Sequence, residues 1–166
     1  MSRRDEGASK PSPDPPVRNG WKLYQWRAFG SSFASLVGEV EQLRSEDPRA
    51  YRAHPSTKRL AAILRLVTEI IPQDPNAPVF RQGNTLGPAN RHWFSAGFFE
   101  RYRLFFRFRS DVRVIVYAWV NDDDTLRARG SRSDAYAVFE RMLSAGAPPG
   151  NWDRLMSEAG RLELPE

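Results

Sequence analysis

The chain of 166 residues has a formal net charge of +5 and no cysteine, which excludes disulfide frameworks and thiolate metal centres and favours a polyanionic partner such as nucleic acid. Five Trp and ten Phe within a 40% hydrophobic composition are enough apolar mass for one core of ordinary size, so a single domain is expected. Two histidines, His54 and His92, are too few for a His-rich metal centre, and neither a leader after Met1-Ser2-Arg3-Arg4 nor an apolar run of the ~18 residues needed to span a bilayer is found, which points to the cytoplasm.

Residues 1–18 combine charge and proline (Pro11, Pro13, Pro15, Pro16) with almost no apolar side chain and read as a disordered tail. Trp21 to Trp26 alternates bulky apolar with polar residues, as a short strand does. From Phe33 the residues Leu36, Val37, Val40 and Leu43 recur at helical spacing, with Ser31 or Ser32 placed as cap. A second helical pattern, Leu60, Ile63, Leu64, Val67, Ile70 and Ile71, follows Pro55 at a first helical position and stops at Pro72. The polar joint around Asp47-Pro48 makes these two an antiparallel hairpin. Residues 72–90 are rich in Pro, Gly and Asn, show neither period, and read as a long loop of the kind that is often functional. Period two then takes over: 92–99, 102–108 and 112–120 read as successive strands, the last two joined by a turn at Ser110-Asp111. Ser133 and Asp134 open a helix with Ala135, Val138, Phe139, Met142 and Leu143, ending at Gly146. A last helix follows Pro148-Pro149, capped by Asn151. The expectation is an α+β domain over 19–160, an antiparallel sheet against an N-terminal helical hairpin with C-terminal helices, and a tail over 161–166.

Strand alternation places Arg101, Arg103, Phe105, Arg107 and Arg109 on one face and Tyr102, Leu104, Phe106 and Phe108 on the other. Residues two apart lie ~6.6 Å apart along a strand, close to the phosphate spacing of single-stranded nucleic acid. A cationic face results, with Phe105 offered to a base; the alternative is an ordinary solvated sheet face. The surroundings favour RNA: Arg113, Tyr117 and Trp119 share a face of the next strand, and Arg127, Arg129 and Arg132 follow it. His92 has the pKa range of a general acid or base but no adjacent carboxylate. Asp122, Asp123 and Asp124 could bind a cation, but three consecutive aspartates in a polar turn more often just solvate it. No GxSxG, HExxH or Walker pattern and no helix-turn-helix with a basic recognition helix is present.

Several stretches in order, Asn19-Gly20-Trp21, Thr57-Lys58-Arg59-Leu60, Arg101-Tyr102-Arg103-Leu104-Phe105-Phe106-Arg107, Trp119-Val120-Asn121-Asp122 with Thr125-Leu126-Arg127, and Asp134-Ala135-Tyr136-Ala137-Val138-Phe139, make the chain resemble the YhaV family of bacterial toxins, a branch of the RelE-like superfamily. The resemblance covers about Asn19 to Trp152. It implies a RelE-like fold and an endoribonuclease that cuts translated mRNA on the ribosome, inhibits translation and arrests growth. It also implies neutralisation by a PrlF-type antitoxin whose AbrB-like domain carries the pair to operator DNA. The implied chemistry uses no metal and no cofactor: the ribose 2′-hydroxyl attacks the adjacent phosphate and basic side chains stabilise the charge that builds up. Arg103 matches the central arginine of the strand motif and is the first candidate for holding the scissile phosphate. Arg107 and Arg127 are further catalytic candidates, His92 or Tyr136 would move the proton, and Arg101, Arg109 and Arg129 would contact RNA.

The chain departs from that pattern at one place. Where many members read His-Trp-Phe-Arg-Ala-Lys-Phe-Phe, this chain has His92-Trp93-Phe94-Ser95-Ala96-Gly97-Phe98-Phe99. Positions 95 and 97 share a strand face opposite Phe94 and Phe98, so two cations are missing together. Losing one preorganised charge can lower a rate by ~10²–10³, which implies an attenuated toxin or an inactive member that still binds antitoxin or RNA.

Overall fold

The computed structural model describes residues 14–165. Its sheet is built from β1 (Val17–Arg18), β2 (Trp21–Gln25), β3 (Phe94–Phe98), β4 (Tyr102–Arg109), β5 (Val114–Val120) and β6 (Gly160–Arg161). The spatial order is β1-β2-β5-β4-β3, with β6 on β2. The sheet expected to be antiparallel is mixed: β2 runs parallel to β5, Leu23 beside Ile115, because the long stretch between them returns the chain to the same edge. The α+β class and the helical hairpin stand, in agreement with a RelE-like layout.

Helices cover both faces of the sheet. On one lie α1 (Arg27–Glu46) and α2 (Pro55–Arg65), whose Phe29, Phe33, Leu36, Val40, Leu60 and Ile63 meet Leu104, Phe106, Ile115 and Tyr117 of the strands. Helix α1 begins well before Phe33: its apolar stripe starts at buried Phe29, so Ser31 and Ser32 lie inside the helix and do not cap it. Pro55 holds the expected first position of α2, and the His54 side chain caps it by accepting the Ser56 N–H at 3.0 Å. The helix continues through a wider π turn, Leu66–Ile70, into a last turn, Ile71–Gln73. Pro72 has no N–H for the ladder, and the widened turn precedes it.

On the other face lie α3 (Ala135–Ser144) and α4 (Trp152–Glu158), capped by Asp134 and Asn151 as expected. Their Phe139 and Leu155 pack with Trp93, Phe105, Val114, Val116 and Ala118 in a second core. Phe139, Phe105 and Trp119 form a triangle of near-parallel rings, Phe139 being 4.4 Å from Phe105 and 5.9 Å from Trp119 with those two 5.8 Å apart, and Trp93 stands edge-on to Phe139 at 5.2 Å. Phe105 therefore has no exposure and cannot receive a base, contrary to the expectation from alternation. Tyr117 and Trp119 do not share a face either. The β4–β5 register slips so that Phe105 faces Trp119 and Phe106 faces Tyr117. Ala118 is the extra residue of this bulge and Trp119 turns to the second core.

Of the tail expected over 1–18, residues 1–13 lie outside the described residues, and Val17–Arg18 pair with β2. The tail expected over 161–166 is also corrected, since Arg161 belongs to β6 and Leu162 is buried in the first core. The 72–90 loop is packed: Phe80 and Leu86 are buried, and the Gln82 amide donates to Asn90 O and Trp93 O and accepts the Leu86 N–H. Among the described residues no helix is long and apolar enough to cross a membrane.

Removing the ring at the centre of the second core tests this packing. Phe139→Ala should destabilise the fold by about 3–5 kcal/mol in urea unfolding; a loss below ~1 kcal/mol would show that α3 is not held by the stack.

Candidate active site

β3 and β4 pair so that Gly97 stands directly across from Arg103. With no side chain at 97, the Arg103 guanidinium lies over β3: a Cβ built on Gly97 would sit 3.2 Å from Arg103 Nη1 and 3.3 Å from Cζ. Nη1 donates to Glu100 O at 2.8 Å and Tyr102 O at 2.9 Å. That uses two of the five donors of a guanidinium and leaves the rest for an anion. The backbone of Arg103 is held by Asn121, a buried side chain whose Oδ1 accepts the Arg103 N–H at 2.7 Å while its Nδ2 donates to Arg101 O and Thr125 O.

Arg103 faces an open groove of about 510 Å³ whose other walls include Arg81, Ser95, Gly97, Phe99, Glu100 and Tyr136. The hydroxyls of Ser95 and Tyr136 are hydrogen-bonded at 2.9 Å. Tyr136 is positioned from behind: the Arg127 guanidinium lies over its ring at 4.5 Å and donates to Asp134 Oδ1 at 2.7 Å. Asp134 also accepts the N–H groups of Ala128, Tyr136 and Ala137. Burial alone would raise the Asp134 carboxyl, but the hydrogen bonds from Arg127 and the backbone outweigh it and hold the pKa below the usual value.

The expected site residues do not form one strip. Helix α3 seals the middle of the arginine face over Phe105, leaving Arg103 and Tyr136 with Ser95 and Gly97 on one side. On the other side Arg107 donates to Gly150 O at 2.9 Å and lies over Trp93 and Trp152 at 5.5 and 5.2 Å. Burial, then the charge of Arg109, lowers Arg107 to about 10, so it stays cationic at pH 7. Arg109 lies over Trp152 and pairs with Asp111. His92 is at this end too, its pKa lowered by desolvation and then by Arg107, which leaves it neutral at pH 7. Four residues of strand separate Arg103 from Arg107, ~13 Å between backbones, and Arg107 is held toward Gly150, away from the Arg103 groove. Arg101 lies beside the first group through Nε to Arg127 O at 3.2 Å, and Arg129 is exposed. Asp122 and Asp124 are joined in a turn with Thr125, and Asp123 faces Tyr102 and Arg59.

Comparison with known proteins decides the family. Residues 23–160 match the model of a toxin with endonuclease activity, of a toxin-antitoxin system. The chain belongs to the YhaV toxin family. It is 43% identical over 145 residues, 84% of this chain and 92% of the relative, to the ribonuclease toxin YhaV of Escherichia coli K12. The same values hold for the toxins YhaV of Escherichia coli O6:H1 and O157:H7. No solved structure matches the chain.

For this YhaV-family chain, sequence reasoning missed Arg81, which only the folded loop brings to the groove, and the positioning roles of Asn121 and Asp134. Asp134 was legible as a helix cap, but its second task needs the fold of 121–134 to bring Arg127 back to it. Asp134→Asn should cost about 3 kcal/mol at pH 7, because it leaves a partly buried guanidinium unpaired. The folded-state pKa of Asp134 is depressed, so its contribution is full above the unfolded value of ~3.9 and is lost as pH falls through the lower folded value. Urea titrations at pH 7 and pH 3 should therefore show the difference between parent and variant shrinking in acid.

Proposed function

We propose that this toxin is a ribosome-dependent, metal-independent endoribonuclease acting on mRNA in the cytoplasm, with Arg103 on the scissile phosphate and Tyr136 as the proton-transfer group. The observation that carries the reading is that Arg103 and the Tyr136 hydroxyl line one open groove, whereas His92 and Arg107 lie beyond α3. In the reaction the ribose 2′-oxygen attacks the adjacent phosphorus as its proton leaves, the bond to the 5′-oxygen breaks, and that oxygen takes up a proton. Negative charge builds on the phosphoryl oxygens, where the remaining donors of Arg103 are placed to meet it. Arg127 acts through Tyr136 as a positioning residue, Arg101 and Arg129 contact RNA outside the groove, and Arg107 and Arg109 belong to a separate contact with RNA. A PrlF-type antitoxin with an AbrB-like domain is the expected partner and the route to operator DNA.

An attenuated or non-cleaving copy is the second reading. One observation favours it: the groove at positions 95 and 97 is lined by a serine bonded to Tyr136 and by a glycine covered by Arg103. The two positions are not equivalent for repair. Ser95 is buried, so an arginine there would break the Tyr136 contact, whereas Gly97 is exposed at the groove. Lysine at 97 needs the Arg103 guanidinium to give by only a few tenths of an ångström.

The test is cleavage of mRNA on translating ribosomes by the purified chain. The expected products end in a 2′,3′-cyclic phosphate and a 5′-hydroxyl, and a 2′-deoxy nucleotide at the cut position abolishes cleavage; equal cleavage of the 2′-deoxy substrate would exclude the mechanism. Gly97→Lys should raise the cleavage rate by ~10-fold or more. An unchanged rate would remove position 97 from the account of attenuation.

A further inference from the structure

The β3–β4 turn, which forms one edge of the Arg103 groove, presents an exposed aromatic ring. Phe99 and Glu100 have φ of 48° and 65°, a left-handed backbone that side-chain-bearing residues rarely adopt, and the Arg101 N–H closes the turn on Phe99 O at 2.7 Å. The turn is held in place from both sides: Phe98 stacks on Tyr102 at 5.3 Å, and Arg103 Nη1 grips Glu100 O. The result is a phenyl ring 54% exposed at the tip of a rigid hairpin. Glycine would relieve this backbone, and the ring is held edge to face against Phe98 at 5.7 Å.

Phe99 is also the wall between two grooves. On one side is the 510 Å³ groove with Arg81 and Arg103. On the other is a groove of about 580 Å³ lined by His54, Lys58, Arg59, Tyr102 and Asp123. The carboxylates of this second groove are engaged, Glu39 with the Ser56 hydroxyl at 2.5 Å and Asp123 with Tyr102 and Arg59. Lys58 is exposed, and Arg59 lies over the Tyr102 ring at 5.5 Å. Cations on either side of a protruding aromatic ring fit the backbone and one unpaired base of a single strand.

We propose that Phe99 is a base-stacking platform for single-stranded RNA, next to the scissile phosphate, and that Lys58 and Arg59 hold the backbone after the stacked nucleotide. This extends the RNA reading of the Arg103 groove and rests on it. It gives exposed Lys58 a role, and adds one to Arg59 beyond its contacts with Tyr102 and Asp123.

The experiment is fluorescence-anisotropy binding of a labelled ten-nucleotide single-stranded RNA to the full chain, with thermal unfolding of each variant. Phe99→Gly should weaken binding by about 5- to 150-fold, the range of one lost base stack, while its unfolding midpoint is unchanged or higher because glycine accepts the positive φ. Phe99→Leu should also bind weakly and Phe99→Trp should bind like the parent, which guards against a folding defect in any one variant. Affinities of Phe99→Gly and Phe99→Leu within twofold of the parent would overturn the proposal, as would loss of antitoxin binding with RNA binding intact, which would assign the ring to a protein partner. If Arg103→Ala weakens RNA binding and the Phe99 variants do not, only this inference fails. If the parent binds no RNA, the reading beneath it fails as well.

Discussion

Phe139 packs against both Phe105 and Trp119 in one cluster of near-parallel rings, and the layout of the arginine face depends on that cluster. It seats α3 on the centre of a sheet face that strand alternation alone would leave cationic and open. Once seated, the helix does three things. It buries Phe105, it separates the two ends of the arginine ladder, and it aims Tyr136 at Ser95 from the first turn. The β5 bulge at Ala118 is part of the same constraint, because without it Trp119 would face the helical hairpin and could not close the stack.

The separation changes what the arginines do. Arg107 and Arg127 are each anchored within the protein, one by Gly150 O and two tryptophans, the other by Asp134 and the Tyr136 ring, so neither reaches the Arg103 groove. Arg103 differs because its opposite number is Gly97 and its guanidinium reaches an open groove. In the proposed reaction the stabilising charge comes from one held guanidinium beside a hydroxyl and not from the whole ladder.

The sheet strands, the Pro55 and Asn151 helix starts and the Asp134 cap were legible because each rests on a local pattern of period, proline or cap. The position of Arg103 was legible from its motif, and the shared face of Ser95 and Gly97 followed from strand alternation alone. What escaped was non-local. The parallel pairing of β2 with β5, the bulge that turns Trp119, the strand at Gly160–Arg161 and the burial of Phe105 all depend on which element docks where. The placement of His92 at the Arg107 end was not legible either, because a sequence shows its titration range and not its distance from Arg103.

The most direct measurement is the initial rate of mRNA cleavage on ribosomes by folded Arg103→Lys and His92→Gln proteins beside the parent. A site confined to the Arg103 groove predicts a loss of ~10²-fold or more for Arg103→Lys, since an ammonium cannot reproduce the planar fork, and a rate within about threefold of the parent for His92→Gln. A large loss for His92→Gln with Arg103→Lys near the parent rate would place the chemistry on the far side of α3 and contradict the account.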